Sequence, residues 1–457
     1  MLKFDSKAIS EHAEAPLADE RRWERIVEHW DERRSASGAA VHDDDHACFV
    51  VSVGPSRDPV ERAAQLAEIV SLVRSQGGRI AGEEICVLQR PNPRTLLGPG
   101  MAERLATRAR SAGATMLVLD AELSPSQTRN LEDAAGIPIC DREAIILNVF
   151  LRHARTRRAQ TQVSIAQLEY LRPRIRGVGL DMDQQTGGLK GARGPGETAS
   201  ELLARKLDDR LDELKKRLAT IEAAERTQRK RRDGCHRIAL VGYTNAGKTS
   251  LMNALTGAEL SARDRPFETL DTTSRRLARH GREVLISDTV GFIRRFPERL
   301  LANFESTLSE VTEASLLVIV LDVSDPETAL QLRTTLDLVV KMGAANTPRF
   351  YVFTKIDLLP GAPDAAALDA LADGHPWAAL DTRDRAAVGR LEQALLQAAR
   401  REDEEATVFV PYSAGNVLSL VYGRCRVLET TASERGLRLR IQGLPLDIAK
   451  IRKGLRS

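Results

Sequence analysis

The sequence predicts a multidomain α/β protein, because three patterns follow one another along its 457 residues. Apolar strands alternate with amphipathic helices over 46–145, which favours a small parallel sheet. Charged helices around a glycine-rich loop follow over 146–233, and a phosphate-loop motif opens a second α/β region over 234–402. We assign 403–457 to a small C-terminal α/β domain and 1–45 to a polar extension.

Composition excludes some functional classes. Apolar residues make up 42% and charged residues 29%, which is typical of a globular domain in water. The net charge of +3 is nearly neutral, so a nucleic-acid surface would have to be local, and 4% aromatic residues argue against broad base-stacking platforms. The scattered cysteines argue against a zinc site or a disulfide framework. With no signal core or long apolar run, we expect a cytoplasmic protein without a membrane span.

The first α/β region shows strands and helices in alternation. Four apolar segments are predicted as strands, namely ACFVVSVG, ICVLQRP, TMLVLD and IPIC, and the stretches between them as helices. Ser124 precedes Pro125 at the start of one helix, so we expect Ser124 to cap that helix.

Residues 146–233 are predicted to form an antiparallel two-helix arm. A glycine-rich segment, TGGLKGARGPGET at Thr186–Thr198, would lie at its turn. The second helix carries a heptad-like apolar stripe made of Leu207, Leu211, Leu214, Leu218 and Ile221.

Three interpretations of this arm stay open. Charged helices with leucine stripes are most often solvated coiled coils, and the pair can also serve as a dimer seam. The long basic turn instead suits contact with a phosphate backbone, because glycines let the main chain approach a large anionic surface. The candidate RNA-binding residues are Lys190, Arg193, Arg229, Lys230, Arg231 and Arg232.

A phosphate loop is predicted between the strand RIALVG and the helix that follows it. The motif GxxxxGK[ST] is specific in this strand–loop–helix context, because its backbone N–H groups can surround phosphates at a helix N-terminus. Lys248 would reach the β- and γ-phosphates, and the Thr249 hydroxyl would bind Mg²⁺. The predicted loop residues are Gly242, Tyr243, Thr244, Asn245, Ala246, Gly247, Lys248 and Thr249.

Two further phosphate elements follow in the order expected of a GTPase. In PFETLD, Thr269 would complete the Mg²⁺ site, and its nucleotide-binding neighbours are Phe267, Glu268, Leu270 and Asp271. In DTVG, Asp288 would hold Mg²⁺ through water and the Gly291 N–H would sense the γ-phosphate, with Thr289 and Val290 beside them. The predicted catalytic residues are Lys248, Thr269 and Gly291.

Recognition of guanine is predicted from TKID. Asp357 can accept both N–H donors of a guanine edge, which adenine cannot offer, so we expect GTP as substrate. Its neighbours are Thr354, Lys355 and Ile356, with Thr354 standing where such motifs commonly have Asn. The last guanine element has two candidates, and we favour Asp381–Thr382–Arg383 over Ser413–Ala414.

The residue after Gly291 is Phe292, where many GTPases have a glutamine that orients the attacking water. A phenylalanine cannot orient water by hydrogen bonding. We therefore expect slow hydrolysis, with the water held by backbone groups or by a partner.

These motifs resemble those of the HflX family of ribosome-associated GTPases. The similarity rests on LGPG, ELSPSQTRNLE, QLEYLRPR, GARGPGET, VGYTNAGKTSLMNAL, FETLD and DTVGFIRRFP, in that order. Departures are Ala199 and Ser200 in GETASE, Met101 after LGPG, and Thr354. The resemblance implies a small N-terminal α/β domain, a helical arm, a Ras-like P-loop G domain and a small C-terminal α/β domain. It also implies binding to the large ribosomal subunit and its rRNA, and separation of stalled or idle ribosomes.

Two functional hypotheses follow. The first is a monomeric, Mg²⁺-dependent GTP hydrolase that is slow alone and stimulated by the ribosome. The alternative is a nucleotide-gated ribosome- or RNA-binding protein with little hydrolysis.

Overall fold

A computed structural model describes most of the chain. The described ranges are 47–175, 199–230, 235–257, 273–277, 284–289, 291–297, 299–300, 309–401 and 403–455. The chain divides into a unit of residues 1–145 and a unit of residues 146–457, which we describe separately. The predicted polar extension, 1–45, lies outside the described ranges. Within those ranges, no helix is both long and apolar enough to cross a lipid bilayer.

The first unit contains a parallel four-stranded sheet with strand order β2-β1-β3-β4, which confirms the predicted parallel pairing. Its elements are β1 (Ala47–Gly54), α1 (Pro59–Ser75), β2 (Arg79–Val87), α2 (Pro99–Ser111), β3 (Met116–Leu119), α3 (Pro125–Ala135) and β4 (Ile139–Asp141). Every residue of β1 is buried, as is typical of a central parallel strand covered on both faces.

Two local predictions in this unit can be compared with the structure. Helix α3 is capped by Ser124, whose hydroxyl accepts from the Gln127 N–H at 3.2 Å, as expected. The predicted bounds of β2, Ile85 to Pro91, were wrong, because the strand spans Arg79–Val87. The residues before Ile85 include Arg79, Gly82, Glu83 and Glu84, which are weak strand formers. They are held as a strand by backbone pairing with β1 from Ala47 onward, which local hydrophobicity does not predict.

The arm begins with α4 (Arg142–His153), which is followed by α5 (Arg157–Ile175) and α6 (Ala199–Lys230). The predicted glycine-rich turn between α5 and α6 lies outside the described residues. Part of the predicted apolar stripe is buried, at Leu207, Leu211 and Leu214.

Helices α5 and α6 run antiparallel, as predicted. Arg158, near the start of α5, contacts Glu225 near the end of α6, at 2.7 Å. Arg172, near the end of α5, contacts Asp208 near the start of α6, at 2.8 Å. Because the partners advance in opposite directions along the chain, the two helices lie antiparallel.

The nucleotide-binding region forms a six-stranded sheet with order β10-β9-β8-β5-β7-β6. Its strands are β5 (His236–Gly242), β6 (Thr273–Arg276), β7 (Val284–Asp288), β8 (Leu316–Asp322), β9 (Arg349–Thr354) and β10 (Trp377–Ala379). Its helices are α7 (Lys248–Thr256), α8 (Ser309–Thr312), α9 (Thr328–Lys341), α10 (Ala365–Ala372) and α11 (Arg385–Ala399). Except for β6, the described pairs are parallel, so the carboxyl ends of these strands meet at one edge, where open α/β sheets bind ligands.

The C-terminal part is a three-stranded antiparallel sheet with order β11-β13-β12. Its elements are β11 (Glu404–Pro411), α12 (Gly415–Arg424), β12 (Arg426–Ser433), β13 (Gly436–Gly443) and α13 (Pro445–Gly454). The multidomain α/β class is confirmed, and the residue boundaries proposed between domains remain predictions.

The close approach of Gly242 to β8 gives a first testable prediction. A Cβ at Gly242 would lie 2.3 Å from the backbone oxygen of Val320. Because this neighbour is main chain, β5 and β8 must separate, and overpacking of this kind costs about 1–3 kcal/mol of unfolding free energy. We expect Gly242→Ala to lose that amount, measured by urea-dependent hydrogen exchange of the β5 amides. Gly361→Ala is the control, because a Cβ there meets no atom within 4 Å; equal losses in both variants would contradict this account.

Candidate nucleotide site

The phosphate loop connects β5 to α7. Its sharp path needs two residues in the left-handed region, Asn245 at φ 63° and Gly247 at φ 85°. Gly247 leads into the first turn of α7, whose N–H groups have no partner within the helix. These N–H groups and the positive end of the helix dipole make the loop suited to an anion such as a polyphosphate.

The Lys248 side chain is folded back onto this loop. It is only 6% exposed, and its Nζ donates to the carbonyl oxygens of Gly242 at 3.1 Å and Tyr243 at 2.7 Å. Burial lowers the pKa of Lys248 to about 8, against the opposing effect of the Asp288 carboxylate. A phosphate placed in the loop would supply the negative charge that a buried ammonium group needs.

Thr249 and Asp288 bring two oxygen ligands together. The Thr249 hydroxyl, on α7, donates to Asp288 Oδ2 at 2.7 Å, and Asp288 ends the buried strand β7. The Asp288 side chain is fully buried. A hydroxyl and a carboxylate at this distance are hard oxygen donors of the kind that Mg²⁺ prefers.

The segment after Asp288 is paired with the phosphate loop by backbone hydrogen bonds. Phe292 N–H donates to the Gly242 oxygen at 3.1 Å, and Thr244 N–H donates to the Phe292 oxygen at 2.7 Å. A Cβ at Gly291 would lie 2.9 Å from Thr244 Cα and 3.2 Å from Lys248 Nζ, so only glycine fits there. The Gly291 backbone therefore lies directly against the loop, as its predicted γ-phosphate role requires.

The same segment continues to the arm. The Arg294 backbone N–H donates to the Tyr243 hydroxyl at 2.7 Å, and the Arg294 side chain forms an ion pair with Glu327. Two residues further on, the ring of Phe296 lies 6.1 Å from the ring of Phe150 on α4, between centroids. One short segment thus contacts both the phosphate loop and a helix of the arm.

The predicted guanine motif lies at the end of β9. The Thr354 hydroxyl is buried and lies within hydrogen-bond distance of the oxygens of Ala246, at 2.8 Å, and Leu321, at 3.0 Å. Lys355 Nζ contacts Asp322 Oδ2 at 2.7 Å, which ties β9 to β8. Asp357 follows in a short 3₁₀ turn that leaves its carboxylate partly exposed at an open cleft.

This cleft has a volume of about 210 Å³. The pair favoured for the last guanine element, Asp381–Thr382, lies on the wall of this cleft. Its lining residues are Gly247, Ser250, Thr354, Lys355, Asp357, Leu358, Asp381, Thr382 and Arg383. The competing pair, Ser413–Ala414, lies beyond β11 at the start of α12, outside this lining.

Some predicted site residues lie outside the described ranges. In the nucleotide site these are Phe267, Glu268, Thr269, Leu270, Asp271 and Val290. Among the candidate RNA-binding residues, they are Lys190, Arg193, Arg231 and Arg232, while Arg229 and Lys230 form the end of α6.

Sequence reasoning missed two contacts of this site. One is the backbone pairing of Phe292 with the loop, which carries no signal in side-chain type. The other is Arg383, whose side chain contacts Asp357 at 2.5 Å. The sequence did contain a signal for Arg383, because a basic residue stands in the 381–383 segment that was expected to face the guanine base.

Three family models match successive parts of the chain. They are described as GTP-binding GTPase N-terminal, over residues 63–151, GTP-binding GTPase Middle Region, over 153–232, and 50S ribosome-binding GTPase, over 237–355. Together they span most of the chain, including the arm and the phosphate loop.

Curated relatives are similar over most of their length. A GTPase HflX of Gluconacetobacter diazotrophicus is 37% identical over 439 residues, covering 88% of this chain and 96% of the relative. One from Spirochaeta thermophila is 38% identical over 356 residues, covering 77% and 86% respectively. A crystal structure of a GTP-binding protein from Sulfolobus solfataricus with GDP covers 77% of this chain and 99% of its own, at 21% identity and TM-score 0.41, too remote to bear on the site.

The phosphate-loop geometry, the three matched family models and the relatives of similar length agree on one assignment. This chain belongs to the HflX family of GTPases, and it is a GTP hydrolase.

Proposed function

We propose that this GTPase acts on the large ribosomal subunit and promotes the separation of stalled or idle ribosomes. It would work as a monomer in the cytoplasm. The observation that carries the proposal is the segment Gly291–Pro297, which contacts the phosphate loop at one end and Phe150 of the arm at the other. The family model over residues 237–355 carries the description 50S ribosome-binding GTPase, which supports the choice of partner.

Mg²⁺ fits the residues of this site. Thr249 and Asp288 already place a hydroxyl and a carboxylate oxygen 2.7 Å apart. In the proposed GTP complex, the Thr249 hydroxyl would bind the ion directly, Asp288 would hold it through water, and Thr269 would supply the second hydroxyl. Held by these residues, Mg²⁺ would supply positive charge that stabilises the negative charge developing on the phosphates during hydrolysis.

Hydrolysis then rests on groups that are largely preformed. Lys248 would exchange its contacts with the Gly242 and Tyr243 oxygens for contacts with the β- and γ-phosphates. The Gly291 N–H would donate to the γ-phosphate, next to which the attacking water must stand in line with the leaving oxygen. Phe292 is 2% exposed, so its side chain is part of the protein interior and does not reach that water. Backbone groups or the ribosome would position the water.

The nucleotide state would reach the arm through the same segment. A γ-phosphate that draws Gly291 toward Lys248 shifts the backbone that ends at Phe296, and so the ring that lies against Phe150. Packed rings move as a unit because interiors are dense. The arm would then be held in the pose that binds the subunit, and loss of the γ-phosphate would release it.

The arm would contact rRNA through its basic residues. Its helices are held together internally, by the ion pairs that Arg158 and Arg172 make and by the buried leucines of α6. The apolar stripe is therefore used within the arm, which weakens the case for a dimer seam. A backbone-directed contact of this kind needs no sequence readout and depends strongly on salt.

Ribosome stimulation is the direct test of the proposal. We expect slow GTP turnover by the protein alone and an increase of about tenfold or more with purified large subunits. In some GTPases a partner protein raises kcat by about 10³–10⁵. The measurement is phosphate release at saturating GTP. Small subunits and a Lys248→Ala variant are the controls. Equal rates with and without large subunits would remove the ribosome from the proposal while leaving the hydrolase.

The role of the basic residues can be tested by neutralising them. Changing Lys190, Arg229, Lys230, Arg231 and Arg232 to Gln should weaken co-sedimentation with large subunits by about tenfold or more at moderate salt, because fewer phosphates are neutralised. The matched control changes five exposed cations elsewhere to Gln, namely Arg333, Lys341, Arg385, Arg401 and Lys450. If the first variant changed self-association in sedimentation velocity and left ribosome binding intact, the dimer interpretation would be right.

A third prediction concerns the residue after Gly291. Phe292→Gln should not accelerate hydrolysis, because the side chain at this position is directed into the interior. It should lower the unfolding free energy by about 3 kcal/mol or more, since a large apolar group is lost and an amide is buried. Single-turnover hydrolysis and urea unfolding measure the two effects. Phe409→Gln, at a position 43% exposed, is the control. A tenfold faster intrinsic rate in Phe292→Gln would refute this account of the site.

A further inference from the structure

The guanine cleft holds a cation that the motif does not require. Asp357 supplies the carboxylate for the N1–H and N2–H donors of guanine, which leaves the acceptor O6 to be satisfied by a protein donor. A buried or half-buried acceptor without a partner would cost affinity. A donor on the cleft wall is therefore expected to face O6.

Thr354 is not that group. It stands where guanine motifs commonly have an amide side chain, yet it is 1% exposed and its hydroxyl contacts the oxygens of Ala246 and Leu321. A threonine hydroxyl carries a single proton, which these two carbonyls use. The side chain holds the phosphate loop to β9 and has no donor left for the base.

Arg383 is the cleft cation whose side chain contacts Asp357. Its Nε lies 3.0 and 3.1 Å from the two Asp381 oxygens, and its Nη2 contacts both Asp381 Oδ2, at 3.0 Å, and Asp357 Oδ2, at 2.5 Å. The Arg383 backbone N–H also donates to Asp381 Oδ1 at 2.9 Å. Asp381 thus fixes the guanidinium against Asp357 at the open side of the cleft, and the hydrogen bonds from Arg383 hold the pKa of Asp381 below its usual range.

These contacts leave the remaining nitrogen of the guanidinium, Nη1, with two further N–H donors in the same plane. On a guanine edge, N2, N1 and O6 follow one another. If N2–H and N1–H donate to the two oxygens of Asp357, the neighbouring acceptor O6 falls beside the cation that contacts that carboxylate. The Asp357 carboxylate has enough lone pairs to accept Arg383 and the base together.

We propose that Arg383 is a specificity-determining residue that donates to guanine O6. It takes the place of the serine–alanine element sought in the sequence, and Asp381 is the residue that positions it. Adenine presents an amino group at the same position, so the guanidinium would face a donor, and Arg383 adds to the selection made by Asp357. This inference rests on guanine nucleotide binding and is independent of the ribosome.

The test compares GDP with 6-thio-GDP, whose sulfur is a weaker acceptor at position 6 while N1–H and N2–H remain. Dissociation constants are measured at pH 7 by displacement of a fluorescent GDP, with the full chain and no ribosomes. Wild type should prefer GDP. Arg383→Ala should weaken GDP binding by about tenfold, the usual effect of losing a hydrogen bond to a charged group, and should bring the ratio of the two affinities close to one.

Three further variants complete the design. Arg383→Lys keeps a cationic donor and should retain part of the preference, and Asp381→Asn should lose part of it because the guanidinium is no longer fixed. Arg385→Ala removes an exposed arginine two residues away and should change neither affinity. Circular dichroism confirms that each variant is folded.

Several results would overturn the proposal. If Arg383→Ala weakened GDP and 6-thio-GDP equally, the residue would only orient Asp357. If that variant bound GDP more tightly, Arg383 would be a competitor of the base for Asp357. Unchanged affinity for both nucleotides would leave Arg383 with no role in the cleft. Failure of wild type to bind GDP would remove the premise, whereas a lack of ribosome stimulation would leave this inference intact.

Discussion

The position of the phosphate loop is fixed from three sides, and the remainder of the site depends on this constraint. Gly242 lies against the Val320 oxygen of β8, and the Thr354 hydroxyl of β9 contacts the Ala246 oxygen. On the third side the backbone of Phe292 exchanges hydrogen bonds with Gly242 and Thr244. Two of these neighbours, β9 with the guanine motif and the segment at Phe292, carry another part of the nucleotide site. The loop and the guanine motif therefore keep their mutual distance without a bound nucleotide, and such preorganisation lowers the cost of binding.

The constraint also explains where charge is buried. Lys248 lies inside the loop, and an ammonium group away from water is costly unless it is hydrogen-bonded. The carbonyl oxygens of Gly242 and Tyr243 serve this purpose, and the lowered pKa of Lys248 reflects the part of the cost that they do not offset. Bound phosphates would offset the rest of the cost of burying the Lys248 ammonium group. The loop thus attracts an anion both through its backbone N–H groups and through the Lys248 ammonium group packed against it.

Periodicity and motif spacing predicted most of the fold and the order of the site elements. Alternating strands and helices gave the parallel sheets, and the flanking strand and helix gave the phosphate loop, because these features depend on neighbours in the chain. What the sequence could not provide depends on neighbours in space. The start of β2, with its glycine and two glutamates, is a strand because β1 pairs with it, and the Phe292 contact uses backbone atoms common to every residue type. Arg383 is an ordinary surface arginine until the fold places it beside Asp357.

The pairing of this segment with the phosphate loop is also consistent with a phenylalanine after Gly291. A glutamine that orients water must extend from the backbone toward the γ-phosphate, whereas the side chain at 292 is buried and its backbone pairs with the loop. The segment beyond it places Arg294 against Tyr243 and Phe296 against Phe150. In the proposed mechanism, a displacement at Gly291 would be transmitted along this segment to Phe296, because close packing resists compression. Under the proposed coupling, the position that many GTPases use to orient the attacking water would instead connect the phosphate loop to the arm. In the proposed mechanism, slow intrinsic turnover would follow from coupling the nucleotide to the arm, and acceleration would have to come from a group outside the side chain at 292.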